Sequence, residues 1–401
     1  MIAMLGMTEL ALDPDVTAEQ REYLTAVKTS ADALLGIIDD ILDFSKIEAG
    51  KLEFDSIDFH LRDCLGDALK AIAVRADAKG LELACDVAPD VPDGLVGDPG
   101  RLRQVVINLV GNAIKFTSEG EVVVHVTHVE RTGKDIRLQF AVTDTGMGIS
   151  PERLAAVFEP FTQADASTTR IHGGTGLGLT ISRTLVGGMG GTMAVESTLG
   201  RGSVFRFDAR FKVGEVSSTS DRTVPALEGM RVLVVDDNRT NRRILEGTLQ
   251  RWGMQPSVAA SGVEALALMA APDTPPFQLI LLDCHMPEMD GFMFAERLAT
   301  QPAALHATIM MLSSGGERGD STRCRALGIK VYLMKPISRP ELLRAIVTAL
   351  AVPGNDTGRD SLVTRHSMRE SRAPLRILLA EDNVVNQRVA VGLLEKKGHA
   401  V

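Results

Sequence analysis

DTGMGI at Asp144–Ile149, FEPF at Phe158–Phe161 and GGTGLGL at Gly173–Leu179 follow one another closely in the chain. An aspartate opening a Gly-x-Gly turn comes first, an aromatic-flanked bend second and a three-glycine loop last. That order fits a nucleotide pocket with a movable cover. Upstream, NLVGNAIKFT at Asn108–Thr117 places two asparagines four residues apart on a predicted helix, a spacing that puts both on one face. An adenine ring needs an acceptor for its exocyclic amine. Asp144 fits, at a strand end where its carboxylate is buried against the ring. Gly146 and Gly148 let the backbone pass close to the base. Asn112 carries an amide oxygen of the hard type that Mg²⁺ prefers, and Lys115 reaches phosphate oxygens one turn on. Gly174, Gly176 and Gly178 offer backbone N–H groups to phosphates at the start of the next helix. Residues 162–173 are expected to form a lid, with Arg170 contacting phosphate. Each piece alone has a plainer reading as a turn, a loop or a pair of surface amides. Their order makes them reinforce one another. The loop lacks the Gly-Lys-Ser/Thr of a P-loop and the spacing and preceding strand of a dinucleotide fold.

The rest of the chain is consistent with several domains. Its 401 residues suggest about two to four of them. An apolar fraction of 45% can fill real cores, and a net charge of -9 argues against nucleic-acid binding. Cys64, Cys85, Cys284 and Cys324 are scattered and form no Cys-x-x-Cys pair, so zinc and disulfide frameworks are poor readings. No apolar run approaches the ~18 residues that cross a bilayer. No basic leader precedes the apolar N-terminus, so no membrane contact is expected in this segment.

Residues 1–50 read as a helical hairpin with its turn at Asp13–Val16. Leu24, Val27, Ala31, Leu34, Ile38 and Ile41 recur at spacings of three and four, the pattern of a bundle seam. In residues 53–212, EVVVHVTHV and IRLQFAVTD read as adjacent strands turning at Thr132-Gly133-Lys134, with MAVEST and SVFRFDARF as closing strands. An α/β sandwich with helices on one face follows. Residues 213–229 are small and polar and read as a linker. Residues 230–351 repeat a strand–helix unit five times. Their continuous apolar strands imply a doubly wound parallel sheet covered on both faces. Residues 352–374 read as a second linker. Residues 375–401, LRILLAEDNVVNQRVAVGLLEKKGHAV, repeat the start of the preceding unit, RVLVVDDNRTNRRILEGTLQRWGM. One strand and one helix cannot bury a core, so this tail is expected to be disordered or weakly docked.

The motifs from Asp98 to Phe211 together resemble the ATP-binding domain of sensor histidine kinases. IIDDILDFSKIEAGKL at Ile37–Leu52 resembles the end of their dimerisation hairpin. The resemblance implies ATP and Mg²⁺ as cofactors, Asn112 as the metal ligand and Asn108 beside it. Gyrase and chaperone ATPases of the same fold carry a glutamate four residues before the metal-binding asparagine, as general base on water. Here that position is Asn108, whose amide cannot accept a proton, so transfer to a protein side chain is expected over hydrolysis. Histidine kinases carry their acceptor in a motif resembling His-Glu-x-Arg-Thr-Pro. MIAMLGMTELAL resembles the stretch just after it, and none of the eight histidines sits in such a motif. The chain as written is therefore expected to bind ATP without phosphorylating itself on histidine.

VVDDN at Val234–Asn238, LLDCHMPEMDG at Leu281–Gly291, Ser313 and MKP at Met334–Pro336 resemble a response-regulator receiver. Asp236, Asp237 and Asp283 end strands, so three carboxylates converge and call for a cation, which Mg²⁺ supplies. The resemblance makes Asp283 the phosphoacceptor, Lys335 its charge partner, Ser313 the hydrogen bond to the new phosphoryl group and Tyr332 the side chain that follows. In the terminal repeat Glu381 and Asp382 match the acidic pair.

The whole resembles a hybrid sensor histidine kinase, with a partial dimerisation hairpin, an ATP-binding domain, a receiver and the beginning of a second one. The implied partners are a second copy through the hairpin and a downstream histidine phosphotransfer domain or response regulator. The segment is expected in the cytoplasm, with an inner-membrane anchor in the parent left open. The rival reading is a non-catalytic ATP-binding scaffold that serves as a phosphoryl sink.

Overall fold

The computed structural model describes residues 6–8, 11–12, 16–154, 156–160, 176–214, 227–271, 275–299, 307–315, 320–351, 363–364, 375–396 and 398–401. The expected turn at Asp13–Val16 lies mostly outside them. Helix α1 spans Ala18–Glu48. Thr17 caps it, accepting from the Gln20 amide while the Gln20 side chain accepts from the Thr17 amide. The seam residues Val27, Leu34, Ile38 and Ile41 remain 39 to 50% exposed along this helix. None of the described helices is long and apolar enough to cross a membrane.

The first sheet follows, built from β1 (Ile57–His60), β2 (Glu82–Val87), β3 (Gly94–Gly97), β4 (Glu121–Thr132), β5 (Asp135–Asp144), β6 (Met193–Thr198) and β7 (Gly202–Val213). Its strand order is β1-β3-β7-β5-β4-β2, with β6 also on β7. The helices are α2 (Leu61–Asp77), α3 (Pro99–Phe116), the short α4 (Pro151–Leu154) and α5 (Gly178–Gly188). The β4–β5 hairpin forms where the alternation places it, and Gly133 takes the left-handed conformation its turn requires. Val122, Val124 and Val126 on β4 and Ile136, Leu138, Phe140 and Val142 on β5 are buried. They face Leu65 and Leu69 of α2, Leu102, Val106 and Leu109 of α3, and Ile181 and Leu185 of α5 in one core. Phe140 stacks on Phe207 at 4.7 Å between centroids. This is the expected α/β sandwich. Strands β1 to β3 carry no long alternation. The four residues of β1 and of β3 find their partners only through β7 and each other.

The second sheet is parallel throughout. Strands β8 (Arg231–Val235), β9 (Gln255–Ala259), β10 (Leu279–Asp283), β11 (Thr308–Ser313) and β12 (Val331–Met334) alternate with α6 (Arg239–Arg251), α7 (Gly262–Ala270), α8 (Gly291–Ala299), α9 (Asp320–Ala326) and α10 (Arg339–Ala351). Successive strand residues feed two separate cores. Leu233, Val235, Ile280, Leu282 and Met311 pack into one face. Val232, Val234, Leu279, Leu281, Met310 and Leu333 pack into the other. Burial on both faces is what makes these strands continuously apolar. Within the stretch expected to be a linker, β13 (Val363–Thr364) adds in parallel to the open edge of β12. Two β-branched residues suit that position.

The terminal repeat forms α11 (Val384–Lys396) and a bridge between Arg376 and Ala400. Val389 is buried against Gly6, where an added Cβ would lie 2.3 Å from Val389 Cγ1, while Leu378 is 96% exposed. All four cysteines are free thiols, with Cys64, Cys284 and Cys324 buried.

Phe140→Ala removes a stacked ring from the centre of the first core. We expect a loss of roughly 3–5 kcal/mol, read as a lower urea midpoint at an unchanged slope.

Candidate functional site

Two stations carry polar chemistry. At the first, β5 ends in Asp144, which is 7% exposed. Its Oδ1 accepts the Gly146 amide at 2.9 Å and the Ser203 amide at 3.2 Å. Burial pushes this carboxyl up, and the hydrogen bonds from Gly146 and Ser203 pull against it. A Cβ on Gly146 would sit 2.5 Å from Phe116 O and 2.9 Å from Asp144 Oδ1. Gly148 is left-handed, and its Cβ would meet Thr198 O at 2.2 Å. The close approach these glycines allow is first to the protein's own backbone.

Asn108 and Asn112 share a face of α3, the Asn112 amide donating to Asn108 Oδ1 at 3.5 Å. Asn108 in turn donates to Ser182 Oγ on α5 at 2.8 Å. Gly178 opens α5 against this pair, and a Cβ there would lie 2.4 Å from Asn108 Oδ1. Gly176, two residues earlier, is left-handed. Lys115 Nζ lies 5.0 Å above the Phe116 ring, and partial burial lowers its pKa. Thr180 donates to Phe158 O at 3.0 Å, fastening the aromatic bend to α5. Arg170, Gly174 and the expected lid lie outside the described residues. The aspartate ending β5, the glycine-lined turn and the helix N-terminus at Gly178 suit an adenine nucleotide.

The second station lies at the C-terminal edge of the parallel sheet. Asp236 follows β8 and Asp283 ends β10, both 1% exposed, and Asp237 beside them is exposed. One oxygen from each lies within 4.8 Å of the others. Lys335 Nζ stands 2.9 Å from Asp236 Oδ2 and 3.0 Å from Asp283 Oδ1. That second contact is an ion pair without hydrogen-bond alignment, and neither buried oxygen of Asp283 accepts a hydrogen bond. Burial pushes Asp283 up to about 7, Lys335 opposing and Asp236 and Glu82 adding to the shift. Burial disfavours the Lys335 ammonium, but Asp236, Asp283 and Glu82 outweigh it and hold its pKa above the usual range. Two unsatisfied buried oxygens within a three-carboxylate cluster fit a small hard cation such as Mg²⁺.

Ser313 ends β11, and its hydroxyl donates to Gly315 O. Tyr332 donates to Gly315 O at 3.1 Å and to Asp320 Oδ2 at 2.8 Å, so it rests on the loop that Ser313 leads into.

Sequence reasoning did not find Glu82 and Glu121, which reach this second station from the first sheet. Asn241 donates to Glu82 Oε2 at 3.0 Å, and Lys335 Nζ is 3.7 Å from the same oxygen. Glu121 accepts from Asn238 at 2.9 Å and Thr240 at 3.1 Å. The parallel register places Glu82 directly opposite Glu121. Two like charges side by side at strand starts are the signal, and it appears only once the register is known.

Three regions match family models. Residues 97–213 match the histidine kinase-, DNA gyrase B- and HSP90-like ATPases, residues 232–347 the response regulator receiver domain and residues 1–50 the His Kinase A (phospho-acceptor) domain. The sensory/regulatory protein RpfC of Xanthomonas campestris pv. campestris is 35% identical over 369 residues, covering 84% of this chain and 50% of that protein. The sensor protein GacS of Pseudomonas syringae pv. syringae is 36% identical over 416 residues, covering 99% of this chain and 43% of that protein. The chain thus spans half or less of the length of these curated relatives. The crystal structure of full-length ShkA in complex with AMPPNP is similar over 100% of this chain and 78% of that one, at 31% identity and a TM-score of 0.63.

Lys335→Met would leave Asp236 and Asp283 buried without their cation. Without divalent metal we expect a loss of roughly 3 kcal/mol or more. Millimolar Mg²⁺ should recover much of it, as followed by thermal unfolding with and without EDTA.

Proposed function

The chain belongs to the hybrid sensor histidine kinases, and from that premise we propose that its parent moves the γ-phosphoryl group of ATP to a histidine and then to Asp283. The observation that carries this reading is the pair of buried carboxylates around Lys335 in a chain that also holds Asp144 beside its glycine turn. The proposed division is a dimerisation segment at 1–50, an ATP-binding domain at 53–212, a receiver at 230–351 and the start of a second receiver at 375–401. The exposed stripe Val27, Leu34, Ile38 and Ile41 on α1 supports dimerisation through that helix. The phosphoryl group on Asp283 would pass to a histidine phosphotransfer domain or response regulator.

In the nucleotide cleft Asp144 accepts the adenine amine, with its orientation set by the amides of Gly146 and Ser203. Asn112, Asn108 and Lys115 face the phosphates with the amides at Gly176 and Gly178. Asn108 has no carboxylate with which to activate water, which favours a side chain as acceptor. In the receiver, an Asp283 oxygen forms the bond to phosphorus as the bond to the donor breaks. Lys335 compensates the charge gathered on the phosphoryl oxygens. Mg²⁺ held by Asp236, Asp237 and Asp283 would screen the carboxylates from the incoming anion. The Ser313 hydroxyl, now on Gly315 O, is placed to turn to the product, and Tyr332 follows that loop.

Asp144→Asn turns the acceptor into an amide and leaves the adenine amine poorly paired, a loss of about 1–3 kcal/mol. Titration calorimetry with Mg-ATP should show affinity lower by roughly tenfold or more, and an unchanged affinity would remove Asp144 from the site.

Given acetyl phosphate and Mg²⁺, the wild-type chain should take up one acid-stable, base-labile phosphoryl group. Asp283→Asn and EDTA should each abolish it. Equal labelling of the Asp283→Asn protein, detected by intact mass, would place the acceptor elsewhere.

A further inference from the structure

Glu82 opens β2 in the first sheet, yet among the described residues its side chain makes polar contacts only with the second. Its Oε2 accepts from Asn241 at 3.0 Å and faces Lys335 Nζ at 3.7 Å. Its Oε1 lies 3.5 Å from Ser314 Oγ. Lys335 and the loop after Ser313 are the groups that would hold a phosphoryl group on Asp283. A carboxylate from another domain already stands among them. The Glu121 side chain likewise turns to Asn238 and Thr240, which open the helix after the acidic pair.

We propose that the β2–β4 edge is a docking surface for the chain's own acceptor face, with Glu82 holding the anion position of a phosphoryl group on Asp283, so that docking and phosphorylation exclude each other.

Polar contacts away from the acceptor hold the same face. Lys70 on α2 donates to Glu341 at 2.8 Å, with Glu341 5% exposed. Arg339 donates to Val87 O at 2.6 Å, and Arg243 stands 3.7 Å from Asp86. The fit is close, since a Cβ on Gly315 would lie 2.6 Å from the Asp77 carboxylate. The crevice between the two surfaces, lined by Ala76, Asp77, Leu83, Ser314 and Lys335, is about 10 Å³. That is room for about one water. Charge points the same way. One ammonium already faces Asp236, Asp283 and Glu82, and a phosphoryl dianion at the same place would meet the Glu82 carboxylate at contact distance. Either the edge leaves or the phosphoryl group stays out. A ligand can shift a two-state equilibrium only by its differential affinity for the two states, and here the undocked state alone spares it the Glu82 carboxylate.

The inference rests on Asp283 being the phosphoacceptor, and the test separates the two. The full chain is labelled with acetyl phosphate and Mg²⁺. An Asp283 oxygen bonds to phosphorus, the phosphorus–oxygen bond to the acetyl group breaks, and acetate leaves with the electron pair. Wild type is compared with Glu82→Gln, Glu82→Ala and Glu121→Ala, each checked for its unfolding midpoint and ATP affinity. Glu121→Ala loosens the same surface away from Lys335, so the test survives a misfolded Glu82 variant. We expect Asp283-dependent labelling to be faster by roughly threefold or more in each folded variant. In wild type, Mg²⁺ with beryllium fluoride, a phosphoryl mimic, should increase the radius of gyration seen by small-angle X-ray scattering. Label that depends on Asp283 but forms at the wild-type rate in every folded variant would overturn the docking proposal, as would a radius unchanged by the mimic. Label that persists in Asp283→Asn would sink the acceptor assignment, and the inference with it.

Discussion

One ammonium, Lys335 Nζ, answers to carboxylates from two sheets. Asp236 and Asp283 stand at 2.9 and 3.0 Å, and Glu82 at 3.7 Å from a different domain. Carboxylates this deeply buried are tolerated only where a partner charge stands close. Lys335 therefore fixes how the ends of β8, β10 and β12 come together and gives the β2 edge something to bind. Three negative groups on one positive group leave the cluster short of cation. That shortage is what suits it to a divalent metal ion.

The two sheets meet water differently, and this sets how readable they are. The strands of the second sheet are covered on both faces, and their apolar runs stand out without knowledge of partners. The β4–β5 hairpin shows as alternation because one face meets the helices. Strands β1 and β3 are four residues each and depend on neighbours far along the chain, so no local period marks them. The two residues of β13 complete an edge inside a stretch that reads as a linker, for the same reason.

Site residues divide along a similar line. Asp236 with Asp237, Asp283 and Lys335 end strands whose positions the apolar pattern already sets, and Asn108 with Asn112 share a helical face by spacing alone. Glu82 is different. Its partner Asn241 lies 159 residues away, on another domain, and the contact exists only when the two domains dock. Nothing near Glu82 in ELACDV distinguishes it from an ordinary charged residue at an edge strand. Glycines fall between. Gly146 and Gly148 read as special from their motif, but the walls they press against, Phe116 O and Thr198 O, are supplied by the fold.

The four thiols have a consequence of another kind. Burial pushes Cys64 up to about 11 and Cys85, Cys284 and Cys324 up to about 12. At neutral pH a thiol at about 12 is ionised in roughly one molecule in 10⁵, and the thiolate is the form that reacts with peroxides, disulfides and electrophiles. Cys284, the residue next to Asp283, is 3% exposed, and its raised pKa keeps it in the protonated, less nucleophilic form at neutral pH.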